Sequence, residues 1–127
     1  MNADNEKLDK ISQVIIGAAF QVGNTLGPGF LEKVYENALV HELKKRGLRA
    51  EQQRPIKVVY GGVVVGDYSA DILVEDEIIV ELKAVNEFDE VHMAQCLNYL
   101  KATGLRVCLL LNFAQPRVEV KRIVNNF

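Results

Sequence analysis

The chain has 127 residues, of which 49% are hydrophobic and 25% are charged, and its formal net charge is −2. A chain of this length forms about one domain around one hydrophobic core, so we expect a single domain over residues 1–127. The composition excludes a wholly disordered chain, and the charge excludes a general basic field that would attract nucleic acid or an acidic membrane.

The long apolar stretch near the N-terminus, residues 11–31, is a poor signal peptide and a poor membrane span, because it holds three amide side chains and four glycines. The two cysteines, Cys96 and Cys108, lie in apolar runs and lack CxxC spacing. We expect them to be buried, reduced thiols of a cytoplasmic protein. A disulfide or a zinc site is less expected, since only two histidines could add ligands.

Two helices are predicted in the first third of the chain. Apolar residues recur at steps of three and four from about residue 5 to 24, and the Gly27-Pro28-Gly29 stretch ends that pattern. A second helix is predicted at about 31–46, with Gly47 at its C-terminal end. Its inner side is expected to carry Leu31, Val34, Tyr35, Ala38, Leu39 and Leu43.

From residue 48 the hydrophobic period becomes strand-like. Three antiparallel strands are predicted at about 51–60, 63–74 and 77–85, joined by a Gly61-Gly62 turn and by the acidic turn 75–77. A third helix follows at about 88–103, then a fully buried strand at 105–113 and an alternating strand at 117–124. The apolar residues of this helix, expected on its packed side, are Val91, Met93, Ala94, Cys96, Leu97 and Leu100. The order of the elements favours an α/β fold with a mixed β-sheet flanked by helices.

The stretch "DEIIVELKAV" at 76–85 combines a buried-strand pattern with charge. Glu81 and Lys83 share one face of the predicted strand because side chains alternate. If the turn is residues 75–77, Val74 pairs with Ile78 and Asp71 falls across from Glu81, while Ala70 shares the opposite, apolar face with Ile72 and Val74. Two facing carboxylates repel unless a cation is present, and Mg²⁺ accepts so few protein ligands because it retains waters. Lys83 would add a cation beside a bound phosphate. The alternative is a solvated face with a cross-strand ion pair.

Polar residues on two helices extend this candidate site. Glu32 lies three residues before Tyr35 and seven before Leu39, so its carboxylate is expected to lean toward the core. On the third predicted helix, His92, Gln95 and Tyr99 form one stripe. Each also has a purely structural interpretation, as a first-turn acid or as the polar edge of a packed helix.

Four motifs in this chain resemble those of the GxxExxY family within the PD-(D/E)xK nuclease superfamily, and they occur in the family's order. They are Gly29, Glu32 and Tyr35 of G-x-x-E-x-x-Y, then Ala70-Asp71, then Glu81-Leu82-Lys83, then Gln95 and Tyr99 of Q-x-x-x-Y. The chain departs from the pattern at Ala70, where the named motif has proline.

The resemblance implies a restriction-endonuclease-like core (αβββαβ) with an extra N-terminal helix and C-terminal strand. It implies a metal-dependent nuclease that hydrolyses phosphodiester bonds of nucleic acid, with DNA as the expected substrate. Asp71, Glu81 and Glu32 would ligate Mg²⁺ or Mn²⁺, and Lys83 would be the catalytic lysine. Supporting roles at the site or substrate are expected for Gln95, Tyr99, Tyr35 and His92.

Two expectations about partners complete the prediction. The basic residues occur only in small groups, which more often solvate a surface than form a binding patch. A domain this small is expected to read phosphates rather than sequence, with a homodimer mate or a partner protein helping to hold a duplex. No membrane partner is expected. The alternative function is a non-catalytic binding or regulatory module that retains the nuclease fold.

Overall fold

A computed structural model describes residues 3–125 of the protein. Its elements in chain order are α1 (Ala3–Leu26), α2 (Glu32–Lys45), β1 (Ala50–Tyr60), β2 (Val63–Val74), β3 (Ile78–Lys83), α3 (Glu90–Thr103), β4 (Val107–Asn112) and β5 (Glu119–Val124). The predicted type and order of every element is confirmed, and every boundary lies within about two residues of its predicted place. Over residues 3–125, no helix is both long and apolar enough to cross a membrane.

The strands form one mixed sheet in the order β1-β2-β3-β4-β5. Neighbours pair antiparallel except β3 and β4, which are parallel and connected through α3. A parallel pair needs such a crossover, because both strands start at the same edge of the sheet and the chain must cross back between them. Both β3 and β4 read as nearly continuous apolar runs and are buried along their length, as expected for interior strands.

Helices cover both faces of the sheet. α1 and α2 pack on one face, and the buried side chains of that layer include Ile15, Ala18, Leu39, Leu43, Ile72 and Val80. α3 packs on the other face, and the buried side chains of that layer include Leu73, Ile79, Cys96, Leu100, Cys108 and Leu110. The predicted α/β architecture with flanking helices is confirmed.

The two cysteines meet in the layer beneath α3. Both are free and buried, as predicted. A hydrogen bond to Cys96 and burial together raise the pKa of the Cys108 thiol, so it remains protonated.

Both predicted hairpin turns are present. Gly61 and Gly62 have φ angles of 59° and 79°, which two-residue hairpins of this kind require and which glycine adopts without strain. In the acidic turn, Glu75 and Asp76 have φ angles of 53° and 55°. This three-residue turn places Val74 opposite Ile78, which confirms the predicted register of β2 and β3.

Two helices present different residues to the core than predicted. Leu31 is 81% exposed and Val34 is 39% exposed, so their expected inward placement is wrong. Leu31 has an extended backbone at the N-cap of α2 and therefore lies outside the helical repeat. On α3, Val91 is 73% exposed instead of buried.

The first two strands are much longer than the third. β3 pairs with β2 only over Ile72–Val74, so residues 55–69 continue as a two-stranded ribbon, which we call the arm. Exposed apolar side chains crowd the tip of the arm; they are Val59, Tyr60, Val63, Val64 and Val65. One side of the arm faces α3, because β1 and α3 are in contact.

Candidate active site

The regular pairing of β2 and β3 stops at Ile72 and Val80, and carboxylates replace it beyond that point. The backbone N–H of Asp71 donates to Glu81 Oε2 at 2.7 Å. The backbone N–H of Leu82 donates to Asp71 Oδ2 at 2.9 Å. These reciprocal bonds hold the two acids side by side between the strands, in the arrangement that the register predicts.

The strand alternation breaks next to Asp71. Ala70 packs beneath α3 together with Leu73 and Ile79, so the prediction that it shares the other face with Ile72 is wrong. Two residues three apart can point to the same side of a strand only if the backbone shifts phase between them. The shift occurs at Asp71, so the direction of the Asp71 carboxylate does not follow the regular alternation of side chains between the two faces of the sheet.

The neighbouring position on β1 is also irregular. Gln53 lies between two ladder pairs, without a partner of its own, and has a φ of 53°. A left-handed conformation costs a non-glycine residue about 1–2 kcal/mol, and such strain is concentrated at functional sites. The Gln53 side chain explains part of this geometry, because its Nε2 donates to Glu36 at 3.0 Å and reaches Asp71 Oδ1 at 3.5 Å.

Glu81 is a buried acid whose charge is disfavoured. Its exposed fraction is 3%. Burial, followed by the negative charge of Asp71, raises the pKa of Glu81 from 4.5 to about 8, although the N–H of Asp71 and the ammonium of Lys83 oppose the shift. The alternative of a solvated ion-paired face is therefore wrong for this residue.

Asp71 shares this environment. Burial is the largest cause of its raised pKa, and the Glu36 carboxylate adds to it, while the Leu82 N–H acts in the opposite direction. Two adjacent carboxyl groups with raised pKa values are the expected signature of a site that is electrostatically incomplete without a cation.

The buried acid of α2 is Glu36, which the sequence analysis missed. Its exposed fraction is 5%, and its carboxylate accepts hydrogen bonds from Lys33 and Gln52, both at 2.8 Å. The sequence does contain a signal for it. Leu39, Val40 and Leu43 follow Glu36 at three, four and seven residues, which is the spacing of one buried helical face.

Glu32 is exposed, so the prediction that its carboxylate leans toward the core is wrong. It is the first residue of α2, and its Oε2 accepts the backbone N–H of Ala84 at 3.3 Å, just beyond the end of β3. Glu32 therefore lies near the site without joining the acid pair. Between residues 3 and 125, no three His, Cys, Asp or Glu side chains are grouped so that they could hold a metal ion.

Lys83 is the last residue of β3 and is half-buried. Its carbonyl accepts the N–H of Phe113 at 2.9 Å. Val85, two residues after Lys83, is bound by the side chain of Asn112 on β4. This side chain donates to the Val85 carbonyl at 2.8 Å and accepts the Val85 N–H at 3.1 Å. The backbone on the C-terminal side of Lys83 is thus fixed to β4, and the Lys83 ammonium lies close enough to Asp71 and Glu81 to lower the pKa of each.

α3 brings two of the predicted supporting residues to the acids. Gln95 Nε2 donates to the Tyr99 hydroxyl at 3.0 Å. Burial, and then the charges of Glu81 and Asp71, raise the pKa of Tyr99 to about 12, so its hydroxyl stays protonated beside them. Gln95 and Tyr99 therefore form the α3 side of the site.

The other two supporting residues have local structural contacts. The Tyr35 hydroxyl donates to the Gly27 carbonyl at 2.6 Å and accepts the Phe30 N–H at 3.1 Å, which ties down the loop before α2. His92 accepts the backbone N–H of Asp89 at 3.2 Å and completes a capping box at the start of α3. Their contacts stabilise the elements that carry the site.

The donors present fit a hard divalent cation. Asp71 and Glu81 offer carboxylate oxygens, and a bound cation would offset both the burial and the repulsion between carboxylates that raise their pKa values. Mg²⁺ suits such a small ligand set because it usually keeps several waters and binds one or two carboxylates.

A family model for the PD-(D/E)XK nuclease superfamily matches residues 9–123. The chain belongs to this superfamily. Nucleases are phosphodiester hydrolases whose substrates are nucleic acids, so membership agrees with the chemistry of the acid pair and lysine. No curated protein matches the chain significantly.

Two solved structures have a fold similar to that of this chain. One is the crystal structure of SSO0001, with a TM-score of 0.53, 18% identity, and coverage of 75% of this chain and 51% of that one. The chain thus spans about half the length of SSO0001. The other is an alkaline exonuclease, LHK-Exo, from Laribacter hongkongensis, with a TM-score of 0.52, 13% identity, and coverage of 85% and 76%. The predicted restriction-endonuclease-like core is confirmed.

Proposed function

We propose that this protein is a metal-dependent nuclease that hydrolyses phosphodiester bonds in DNA. The observation that carries the proposal is the adjacent pair of the half-buried Asp71 and the buried Glu81, whose raised pKa values call for a cation, with Lys83 beside them on β3. An electrostatically strained acid pair in a nuclease-superfamily chain is better explained by catalysis than by stability, since burying such acids destabilises the fold.

In this proposal Asp71 and Glu81 would hold Mg²⁺ or Mn²⁺, with the exposed Glu32 as the third candidate ligand. The bound ion would supply charge neutralisation of the phosphate and a more acidic water. Lys83 places its ammonium against the scissile phosphate, where it stabilises the negative charge that develops. Tyr99, kept protonated and held by Gln95, donates a hydrogen bond to the substrate strand.

The G-x-x-E-x-x-Y motif supports assignment to the GxxExxY family within the superfamily. The tyrosine of the motif has a structural role, because Tyr35 fixes the loop that leads into Glu32. The motif thus joins a candidate ligand to the residue that positions the start of α2.

The test is incubation of the purified chain with single- and double-stranded DNA and RNA of matched sequence, in Mg²⁺, Mn²⁺ or EDTA. We expect cleavage of DNA that EDTA stops and that Asp71→Ala and Lys83→Ala abolish. Lys10→Ala is the matched control, since Lys10 is an exposed lysine on α1. Cleavage that persists in both site variants would contradict the assignment.

The non-catalytic alternative makes a different prediction in the same experiment. A binding module would be stabilised against heat by Mg²⁺ or Mn²⁺ and would bind nucleic acid, but it would cut none of the four substrates. RNA cleavage in place of DNA cleavage would keep the mechanism and correct the substrate.

A further inference from the structure

A groove of about 790 Å³ runs between α3 and the arm. Gln95 and Tyr99 line its wall, so the groove begins at the α3 side of the candidate active site. Its lining includes two lysines, Lys57 and Lys101, and no aspartate or glutamate among the described residues. The chain as a whole has a net charge of −2, whereas the described lining of this groove carries basic side chains without acidic ones.

Tyr68 gives the groove an aromatic surface. It is 53% exposed, although its ring lies 5.8 Å from the ring of the buried Tyr99. Gly66 leaves room for this arrangement, because a Cβ at that position would lie 3.1 Å from the Tyr68 ring. The ring is thus placed at the groove wall, with about half of its side-chain area available to a ligand.

We infer that this groove holds a single-stranded segment of the nucleic acid substrate next to the cleavage site. An exposed aromatic ring, aliphatic walls and a few basic groups are the combination that binds single strands without reading sequence. The volume is in the range of pockets that enclose a drug-sized ligand, so it accommodates roughly one or two nucleotides. This inference rests on the proposed function, since it takes the substrate to be nucleic acid.

In this inference, different residues of the groove contact different parts of the nucleic acid strand. A base stacks on Tyr68 and against the valine side chains of the arm, and the amides of Gln95 and Asn98 face it from α3. Lys101 contacts the phosphate backbone. Lys57 contributes less, because it is already paired with Asp67 at 2.7 Å. The strand would then continue from Tyr68 past Tyr99 to the acid pair.

Nucleic acid is favoured over a protein partner for two reasons. The groove shares Gln95 and Tyr99 with the α3 side of the candidate active site, and its lining, within residues 3–125, holds no acidic side chain to oppose Lys101. An interface between two copies of the chain would instead be expected around Tyr60, Val63 and Val64, the residues at the tip of the arm that lie outside the groove lining; Tyr60 is 80% exposed.

The experiment measures binding of a fluorescent twelve-residue oligothymidine by anisotropy, in EDTA to prevent cleavage and at several salt concentrations. We expect Tyr68→Ala to weaken binding by roughly 5- to 100-fold, the range for loss of one stacked base, and Tyr68→Phe to restore it. Lys101→Glu should weaken binding and reduce the salt slope by about 1. Tyr60→Ala, the same truncation on the same arm but outside the groove, should bind as the unmodified protein does.

Two further readouts separate this inference from the proposed function. Stabilisation by Mn²⁺ should persist in Tyr68→Ala, which shows that its weaker binding does not come from a lost acid pair. If the protein cuts nothing, yet Tyr68→Ala still weakens binding, the groove is a strand site and only the nuclease proposal fails. Unchanged binding in both Tyr68→Ala and Lys101→Glu overturns the inference. A change of sedimentation in those variants without a change in binding would assign the groove to contact between copies.

Discussion

Replacing Glu81 with glutamine is expected to stabilise the metal-free protein at neutral and alkaline pH. The amide is close in shape to a protonated carboxyl group, and its oxygen can still accept the Asp71 N–H. The substitution therefore removes a charge that burial and Asp71 disfavour, with little change in packing. The expected gain follows from the raised pKa of Glu81.

The magnitude depends on pH. Below about pH 4 the carboxyl group is protonated in both the folded and the unfolded chain, so the two proteins have similar stability. As pH rises from 4.5 toward about 8, only the folded state keeps the proton, and the stability of the unmodified protein falls. The glutamine variant does not lose this contribution. Its advantage reaches on the order of 3 kcal/mol at pH 7 and on the order of 5 kcal/mol well above pH 8.

The assay measures the free energy of unfolding in urea, monitored by circular dichroism, in EDTA and at half-unit steps from pH 4 to 9. A difference of about 3 kcal/mol corresponds to roughly 10 °C in melting temperature for a chain of this size. Glu87→Gln, on an exposed residue of the loop before α3, is the control and should stay within about 0.5 kcal/mol of the unmodified protein. Parallel stability curves for Glu81→Gln and the unmodified protein would refute the argument, as would a less stable variant at pH 8.

Three further comparisons test the scaffold. Gly23→Ala should lower the free energy of unfolding, measured in urea, by about 1–3 kcal/mol, because its Cβ would lie 2.4 Å from a Val118 methyl group. Gly17→Ala in the same helix should raise the free energy of unfolding by about 1 kcal/mol. A Gly23→Ala variant more stable than Gly17→Ala would contradict this packing. Tyr35→Phe keeps the ring but loses two hydrogen bonds, so calorimetry should show a loss of about 1–3 kcal/mol. Gln53→Gly should be about 1 kcal/mol more stable than Gln53→Ala, because glycine adopts the φ of 53° without strain, and both should lose nuclease activity. Equal stability of those two would argue against strain at that position.

The elements were predictable because each has one dominant period. Leu8, Ile11 and Ile15 recur at helical spacing and are all buried in α1. The two glycines of the first hairpin turn and the length of the acidic turn determined the strand registers, and Val74 pairs with Ile78 as expected. Local signals sufficed wherever local geometry determined the structure.

The site was less predictable because it forms where that regularity ends. Strand alternation placed Ala70 with Ile72, but the backbone shifts phase at Asp71 and Ala70 turns toward α3. Nothing in the residues of β2 alone marks this shift. Gln53 supplies part of its cause from another strand, through hydrogen bonds to Glu36 and Asp71.

The buried acid of α2, Glu36, is not part of the sequence motif. The motif directs attention to Glu32, which is exposed, while the acid one turn later is buried and raises the pKa of both Asp71 and Glu81. A buried third carboxylate makes the acid pair still harder to ionise, so it strengthens the demand for a cation. It is itself held by Lys33, Gln52 and Gln53 and cannot swing freely. Glu36 therefore acts on the site through its charge and through Gln53, whereas the α2 carboxylate of the motif, the exposed Glu32, accepts a hydrogen bond from the Ala84 N–H at 3.3 Å.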